Sequence, residues 1–207
     1  MNAKLKICGM KIPDNISGTI ALQPDYMGFI FYPGSKRFVA YLDPEVVRNI
    51  PQNIKTTGVF VNQDLEDVKK VIEAYQLKAV QLHGNESPDY CKSLLGEVEV
   101  IKAFGIDEEF DFSTLTPYAD AVNYFLFDTQ TRHYGGSGKS FSWQLLQNYT
   151  LTKPYFLSGG IGLDSVPELQ LFTDERLYAI DVNSRFETAP GLKNIEELSS
   201  FKTLLAC

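Results

Sequence analysis

Phe125-Leu126-Phe127-Asp128-Thr129 is the segment from which the architecture of this chain follows. Four of the five residues suit a buried strand, and the fourth position, Asp128, is a carboxylate at the carboxyl end of that strand. Just beyond lies the run Gly135-Gly136-Ser137-Gly138-Lys139-Ser140. Glycine lacks the Cβ that forbids positive φ, so this run predicts a pliable loop. A carboxylate at a strand end under such a loop can offer an acid or a base to a small ligand. It can equally cap a turn or the next helix. The rest of the chain bears on that choice.

Outward from this strand, short apolar runs alternate with longer amphipathic ones. Strands are predicted at 4–8, 26–31, 57–61, 79–82, 98–104, 122–127, 155–157 and 177–182. Helices are predicted at 13–22, 44–49, 64–75, 88–95, 108–118, 141–147, 165–171 and 195–205. The clearest helix repeats Leu65, Val68, Val71 and Ile72 at steps of three and four. Asp43 before Pro44 and Ser87 before Pro88 mark helix starts, with proline at the first helical position. The 108–118 helix is the poorest, because Pro117 interrupts it. Parallel strands need a crossover, so alternating β and α runs predict a parallel sheet. Eight such units in 207 residues predict an α/β chain folded as one compact (β/α)8 TIM barrel, a single domain over 1–207. An open doubly wound sheet would want a dinucleotide fingerprint after the first strand. Cys8-Gly9-Met10-Lys11 lacks its second and third glycines.

Composition narrows the function classes. Hydrophobic residues make up 44% and charged residues 22%, as in a soluble globular protein. No apolar run approaches the roughly 18 residues of a membrane span, so no membrane association is expected. The start of the chain has neither the long apolar region nor the small-residue cleavage site of a secretory signal. Cys8, Cys91 and Cys207 show neither metal spacing nor a disulfide framework. Reduced thiols in the cytoplasm are therefore expected. The formal net charge of -7 argues against a nucleic-acid partner. A small anionic ligand remains open to the chain, given local help from Arg, Lys or backbone N–H groups.

In a barrel of this kind the site forms at the carboxyl ends of the strands. Standing there are Cys8, then Ser35-Lys36-Arg37, Gln81 and His83, Lys102, Asp128, Ser158-Gly159-Gly160, and Asp181 with Asn183-Ser184-Arg185 behind it. Cys8 is a nucleophile, a general base or a small buried hydrophobe. As a base it must be a thiolate, with a pKa near or below its usual value of about 8.5. The fork of Arg37 suits a carboxylate, although a surface charge has the same composition. His83 is a ligand contact or a structural hydrogen-bonding group. Gly159 and Gly160 offer backbone N–H groups ahead of a helix, as a phosphate cradle does, or they form a plain turn. Gly138-Lys139-Ser140 is not a nucleotide P-loop, because His133 stands where its first glycine belongs. His83 and His133 are the only histidines and lie far apart, so no metal site is expected.

Assembled in order, these residues resemble the phosphoribosylanthranilate isomerases of tryptophan biosynthesis. The resemblance covers nearly the whole chain. It is carried by Lys6-Ile7-Cys8-Gly9, by Gly28-Phe29-Ile30-Phe31 with Ser35-Lys36-Arg37, and by Gly58-Val59-Phe60-Val61-Asn62. Gln81-Leu82-His83-Gly84 follows, then Phe127-Asp128 with 136–143, and Ser158-Gly159-Gly160-Ile161. The resemblance implies an Amadori rearrangement of N-(5-phosphoribosyl)anthranilate, a small phosphosugar, with no cofactor. It implies that Asp128 is the general acid that opens the ribose ring and that Cys8 is the general base that removes the C2 proton. Arg37 would hold the anthranilate carboxylate. The loops after strands seven and eight, with Gly159, Gly160 and Ser184, would hold the phosphate. Asp181 and His83 would lie near the substrate, and a monomer or a homodimer is equally compatible.

Both chemical steps are proton transfers, so an acid and a base must face one substrate from different sides. Asp128 must hold a proton when substrate binds, which calls for burial or a nearby negative charge. The chain departs from the family pattern after strand eight, where Arg185 stands in place of a glycine, and after strand seven, where Gly162-Leu163-Asp164-Ser165 replaces an Asn-Pro start. Arg185 either points away from the anion site or joins it; the first is expected. The related isomerase of histidine biosynthesis would want an aspartate at the end of strand one, where this chain has Cys8. A non-catalytic phosphosugar-binding barrel would not need Cys8 and Asp128 to face each other.

Overall fold

A computed structural model describes residues 3–129 and 143–206. Eight parallel strands close into a barrel in sequence order: β1 (Lys4–Ile7), β2 (Tyr26–Ile30), β3 (Lys55–Phe60), β4 (Ala79–Leu82), β5 (Glu99–Ile106), β6 (Tyr124–Thr129), β7 (Tyr155–Ser158) and β8 (Leu177–Val182). Closure is made by β1 on β8, where Lys6 stands opposite Asp181 and Ile7 opposite Val182. The predicted 135–140 loop lies outside the described residues.

Strand periodicity sorts side chains into two cores, because successive residues point to opposite faces. Leu5, Ile7, Val80, Leu82, Phe125, Phe127, Tyr155, Leu157, Ile180 and Val182 face outward into the layer beneath the helices. The alternate residues Ala79, Ile101, Leu126, Phe156 and Ala179 fill the barrel. At the amino ends, Tyr26, Tyr124 and Tyr178 close the floor. Tyr124 stacks on Tyr178 with ring centroids 4.3 Å apart, and the Tyr26 hydroxyl donates to Glu99 Oε2 at 2.9 Å. The same alternation carries Lys6, Cys8, Gln81, Asp128, Ser158 and Asp181 into the upper interior.

Helices α1 (Pro13–Ala21), α2 (Pro44–Arg48), α3 (Leu65–Tyr75), α4 (Pro88–Lys92), α5 (Val166–Leu171) and α6 (Ile195–Ala206) provide most of the outer layer. Asp43 and Asp64 cap α2 and α3 by accepting from the N–H of Glu45 and Glu66, and Ser87 caps α4 by accepting from that of Tyr90. Two predicted helices are 3-10 helices instead, Phe112–Tyr118 and Trp143–Asn148. Pro117 inside the first lacks the N–H an α-helix would use, and both are short enough for the tighter winding. After β7 the chain forms a 3-10 turn, Leu163–Ser165, before α5, so Pro167 falls in the first turn of that helix, where its missing N–H costs nothing. After β8 comes an antiparallel pair absent from the predicted elements, β9 (Glu187–Ala189) with β10 (Leu192–Lys193). These strands are too short to show a period, yet they carry Glu187 and Lys193 to the barrel mouth. No helix among the described residues is long and apolar enough to cross a membrane.

Candidate active site

The carboxyl ends of the strands surround a cavity of about 200 Å³, open to solvent. Cys8, Gln81, His83, Asp128, Ser158, Gly159, Gly160, Asp181 and Ser184 all line it. These nine residues, separated by up to 176 positions in the chain, meet there because each ends a strand or follows one. Ile30, Val59 and Ile161 supply apolar wall.

Cys8 is 4% exposed. Its sulfur needs the space above Gly28, where an added Cβ would lie 2.6 Å from Sγ. Burial pushes the Cys8 thiol up from its ordinary pKa, and the Lys6 and Lys193 ammonium groups pull it only part of the way back. That corrects the expectation of a thiol at or below its usual value. The resting group is a thiol, and its thiolate depends on the two lysines. Asp128, at the end of β6, is partly exposed, and its Oδ2 lies 3.5 Å from His83 Nε2.

Below Cys8 lies a residue quoted in the sequence motif without a role. Lys6 is fully buried, and its ammonium donates to Asp181 Oδ1 at 2.9 Å and to Gln81 Oε1 at 2.6 Å. Burial opposes the ammonium, but the charge of Asp181 and its hydrogen bond favour it, and Lys6 stays protonated. Burial pushes the Asp181 carboxyl up, and Lys6 pulls against that. A lysine two residues before Cys8 on one strand must share its face, and that spacing was the available signal. Gln81 passes the contact on, with Nε2 2.9 Å from His83 Nδ1.

Arg37 is held differently from the expectation. Its Nε and Nη2 grip Glu187 at 2.6–3.0 Å, and Arg37 is not among the residues lining the cavity. Glu187 also accepts from Lys193 Nζ at 2.7 Å, and Lys193 donates to Asn183 Oδ1 at 2.7 Å. Burial opposes ionisation of Glu187, but Arg37 and Lys193 prevail and hold its carboxyl below the ordinary range. Lys102 is not at the cavity either. It is buried beneath the loop after β4, donating to the carbonyls of Leu82 and Gly84 and paired with Glu86 at 3.2 Å.

The loops after β7 and β8 form one side of the mouth. Gly159 and Gly160 have φ of 103° and 63°, which L side chains rarely adopt, so these turns need glycine. Arg185 has no such strain, but it does not point away from the mouth. It lines the cavity and reaches across to Asp164, with Nη2 2.8 Å from Oδ2. Among the described residues no group of three or more His, Cys, Asp or Glu side chains could hold a metal ion.

Such a cavity combines a buried thiol, a carboxyl with a neighbouring imidazole, lysines behind them and open backbone turns. It is suited to moving protons on a small anionic molecule. Comparisons with known proteins agree in one direction. The family model described as N-(5'phosphoribosyl)anthranilate (PRA) isomerase matches residues 5–203. An N-(5'-phosphoribosyl)anthranilate isomerase of Parabacteroides distasonis is 42% identical over 200 residues, covering 95% of this chain and 90% of that protein. The crystal structure of phosphoribosyl anthranilate isomerase from Thermotoga maritima superposes with a TM-score of 0.83 at 34% identity, covering 99% of this chain and 98% of that one. A phosphoribosyl anthranilate isomerase in complex with reduced 1-(o-carboxyphenylamino)-1-deoxyribulose 5-phosphate gives 0.81 at 31% identity, with the same coverage.

Proposed function

The chain belongs to the N-(5'-phosphoribosyl)anthranilate isomerase family, and on that premise we propose that Cys8 and Asp128 carry out the rearrangement of N-(5-phosphoribosyl)anthranilate to 1-(2-carboxyphenylamino)-1-deoxyribulose 5-phosphate, a step of tryptophan biosynthesis. The observation that carries the assignment of roles is that Cys8, directly after β1, and Asp128 on β6 face one cavity, with glycine turns at its rim.

Asp128 protonates the ribose ring oxygen, and the C1–O bond breaks as the nitrogen lone pair forms a Schiff base. The Cys8 thiolate then takes the C2 proton, and the electrons of that bond flow to the nitrogen to give an enolamine. Tautomerisation yields the ketone. No electron is gained or lost overall, so the rearrangement calls for neither a cofactor nor a metal. The reacting form carries a thiolate and a protonated carboxyl. It holds as many protons as the form with a thiol and a carboxylate, and is an isomer of it. Lys6 and Lys193 favour the reacting form by stabilising the thiolate.

Substrate anions have suitable partners. Gly159, Gly160 and Ser184 offer backbone N–H groups to the phosphate, with Arg185 beside them. Arg37 holds Glu187 with its Nε–Nη2 edge, leaving the Nη1–Nη2 edge as the one a carboxylate would take. Asp181 keeps Lys6 in place. We assign the reaction to the cytoplasm, whose reducing conditions keep Cys8 a thiol.

The test is the loss of substrate fluorescence. N-(5-phosphoribosyl)anthranilate is formed in place from anthranilate and phosphoribosyl pyrophosphate by the preceding transferase, and the protein is then added. Rapid loss with the parent and none with Cys8→Ser is expected. Loss with both would remove Cys8 as the base, and no loss with folded parent would overturn the assigned reaction.

A further inference from the structure

The hydrogen-bond chain behind Asp128 has a direction. Lys6 Nζ can only donate, so the Gln81 atom 2.6 Å from it must be the carbonyl Oε1. The amide cannot be flipped, and Nε2 is the atom 2.9 Å from His83 Nδ1. Amide nitrogen also only donates, so Nδ1 must accept. A neutral imidazole that accepts at one nitrogen carries its proton on the other. His83 therefore bears Nε2–H, and that edge is turned to Asp128 Oδ2 at 3.5 Å.

We propose that Gln81, oriented by Lys6, is a positioning residue that locks His83 as the uncharged Nε2–H tautomer at Asp128. This rests on Asp128 being the acid. An imidazolium beside Asp128 would favour its carboxylate and withdraw the proton the acid must give. The Gln81 N–H excludes that form, since a proton on Nδ1 would face another donor at 2.9 Å. The neutral Nε2–H faces the carboxylate left once Asp128 has given its proton, and a small closure of the 3.5 Å gap would let it donate there. Charged groups from three strands surround this arrangement: Asp128 on β6, Asp181 on β8, and Lys6 on β1. The carboxylates would favour an imidazolium; the Lys6 ammonium and the Gln81 N–H oppose it, and of these only Gln81 touches the ring. Lys6 thus serves both ends of the reaction, the thiol directly and the acid through Gln81 and His83.

The experiment reads the tautomer without turnover. Long-range proton–nitrogen correlation spectra of the 15N-labelled full chain at mildly alkaline pH identify His83 by its absence in His83→Asn. The expected result is one tautomer, with Nδ1 unprotonated and Nε2 protonated. A protonated Nδ1, or the averaged signal of a mixture, would overturn the proposal whether or not the isomerase assay succeeds. Gln81→Glu puts an acceptor where the donor was. It should move a proton onto Nδ1 and lower kcat by about 10²-fold, on the order of what a positioned acid contributes. An unchanged Nδ1 signal, or unchanged kcat with the proton moved, would equally sink it. Should that variant not fold, the spectrum of the parent decides alone. Absence of isomerase activity beside the expected spectrum would overturn the reaction and leave the locked tautomer standing.

Discussion

Replacing Lys6 with Met removes a fully buried cation and leaves Asp181, 5% exposed, without its partner at 2.9 Å. Breaking one side of a buried pair typically costs about 3–5 kcal/mol. The structure says how that cost depends on pH. A buried carboxylate without its cation escapes by taking a proton, so the penalty cannot exceed the cost of holding that proton. At pH 7, with an unfolded pKa of about 3.9, the ceiling is about 4.2 kcal/mol, and at pH 5 about 1.5 kcal/mol. The sign follows from the direction of the shift. Burial already raises the Asp181 carboxyl in the parent, and loss of Lys6 raises it further. The folded variant then holds a proton that the unfolded chain lacks, so its stability is greatest in acid and is lost as pH rises, by up to about 1.4 kcal/mol per unit. The parent should show a weaker slope. Gln81 Oε1 also loses its donor, which adds about 1–3 kcal/mol at every pH. Urea unfolding at about pH 5 and about pH 7 measures this, followed by fluorescence of the single tryptophan, Trp143, buried against Phe172. The loss in Lys6→Met should widen with pH, and Lys6→Met/Asp181→Asn should be more stable than the single variant at about pH 7. Equal losses at both pH values, or a double variant no better than the single, would refute the pairing argument.

Asp128→Asn should lower kcat by about 10²–10⁴ with the thermal midpoint nearly kept, and it should erase the basic limb of the parent's bell-shaped pH–rate profile; a surviving basic limb would assign that limb elsewhere. Gly28→Ala places a Cβ 2.6 Å from Cys8 Sγ, so it should cost about 1–3 kcal/mol and most of the turnover, measured by unfolding and by the fluorescence assay. Arg37→Ala should raise KM about 10–100-fold, as loss of a hydrogen-bonded charge does, with a smaller change in kcat; unchanged KM would leave Arg37 only its bond to Glu187. Arg185→Ala should leave stability within about 1 kcal/mol, because its pair with Asp164 is exposed, yet raise KM.

The barrel was legible in the chain because its two periods are local. Phe125 and Phe127 facing helices, with Leu126 and Asp128 facing inward, follow from strand geometry alone. The same rule placed Cys8 and Asp128 at one rim once eight strand–helix units had been recognised. It also contained Lys6, because i and i+2 share a face, although a lysine in a barrel interior runs against composition. Helix type was less legible: Pro117 was visible, but the tight winding around it depends on how the segment meets the barrel wall.

The parallel barrel and the set of groups at its mouth could be read from the chain alone, since both depend on periodicity and strand ends. How those groups pair was settled by folding. Lys6 meets Asp181 across 175 residues because β1 closes on β8, and Arg37 meets Glu187 across 150 because an inconspicuous hairpin returns to the rim. The up-shifted thiol and the directed Gln81–His83 contact follow from burial and from the N–H that Lys6 gives to Gln81. Charge and tautomer are set by the groups that folding brings within about 3–4 Å, and sequence separation does not encode that distance.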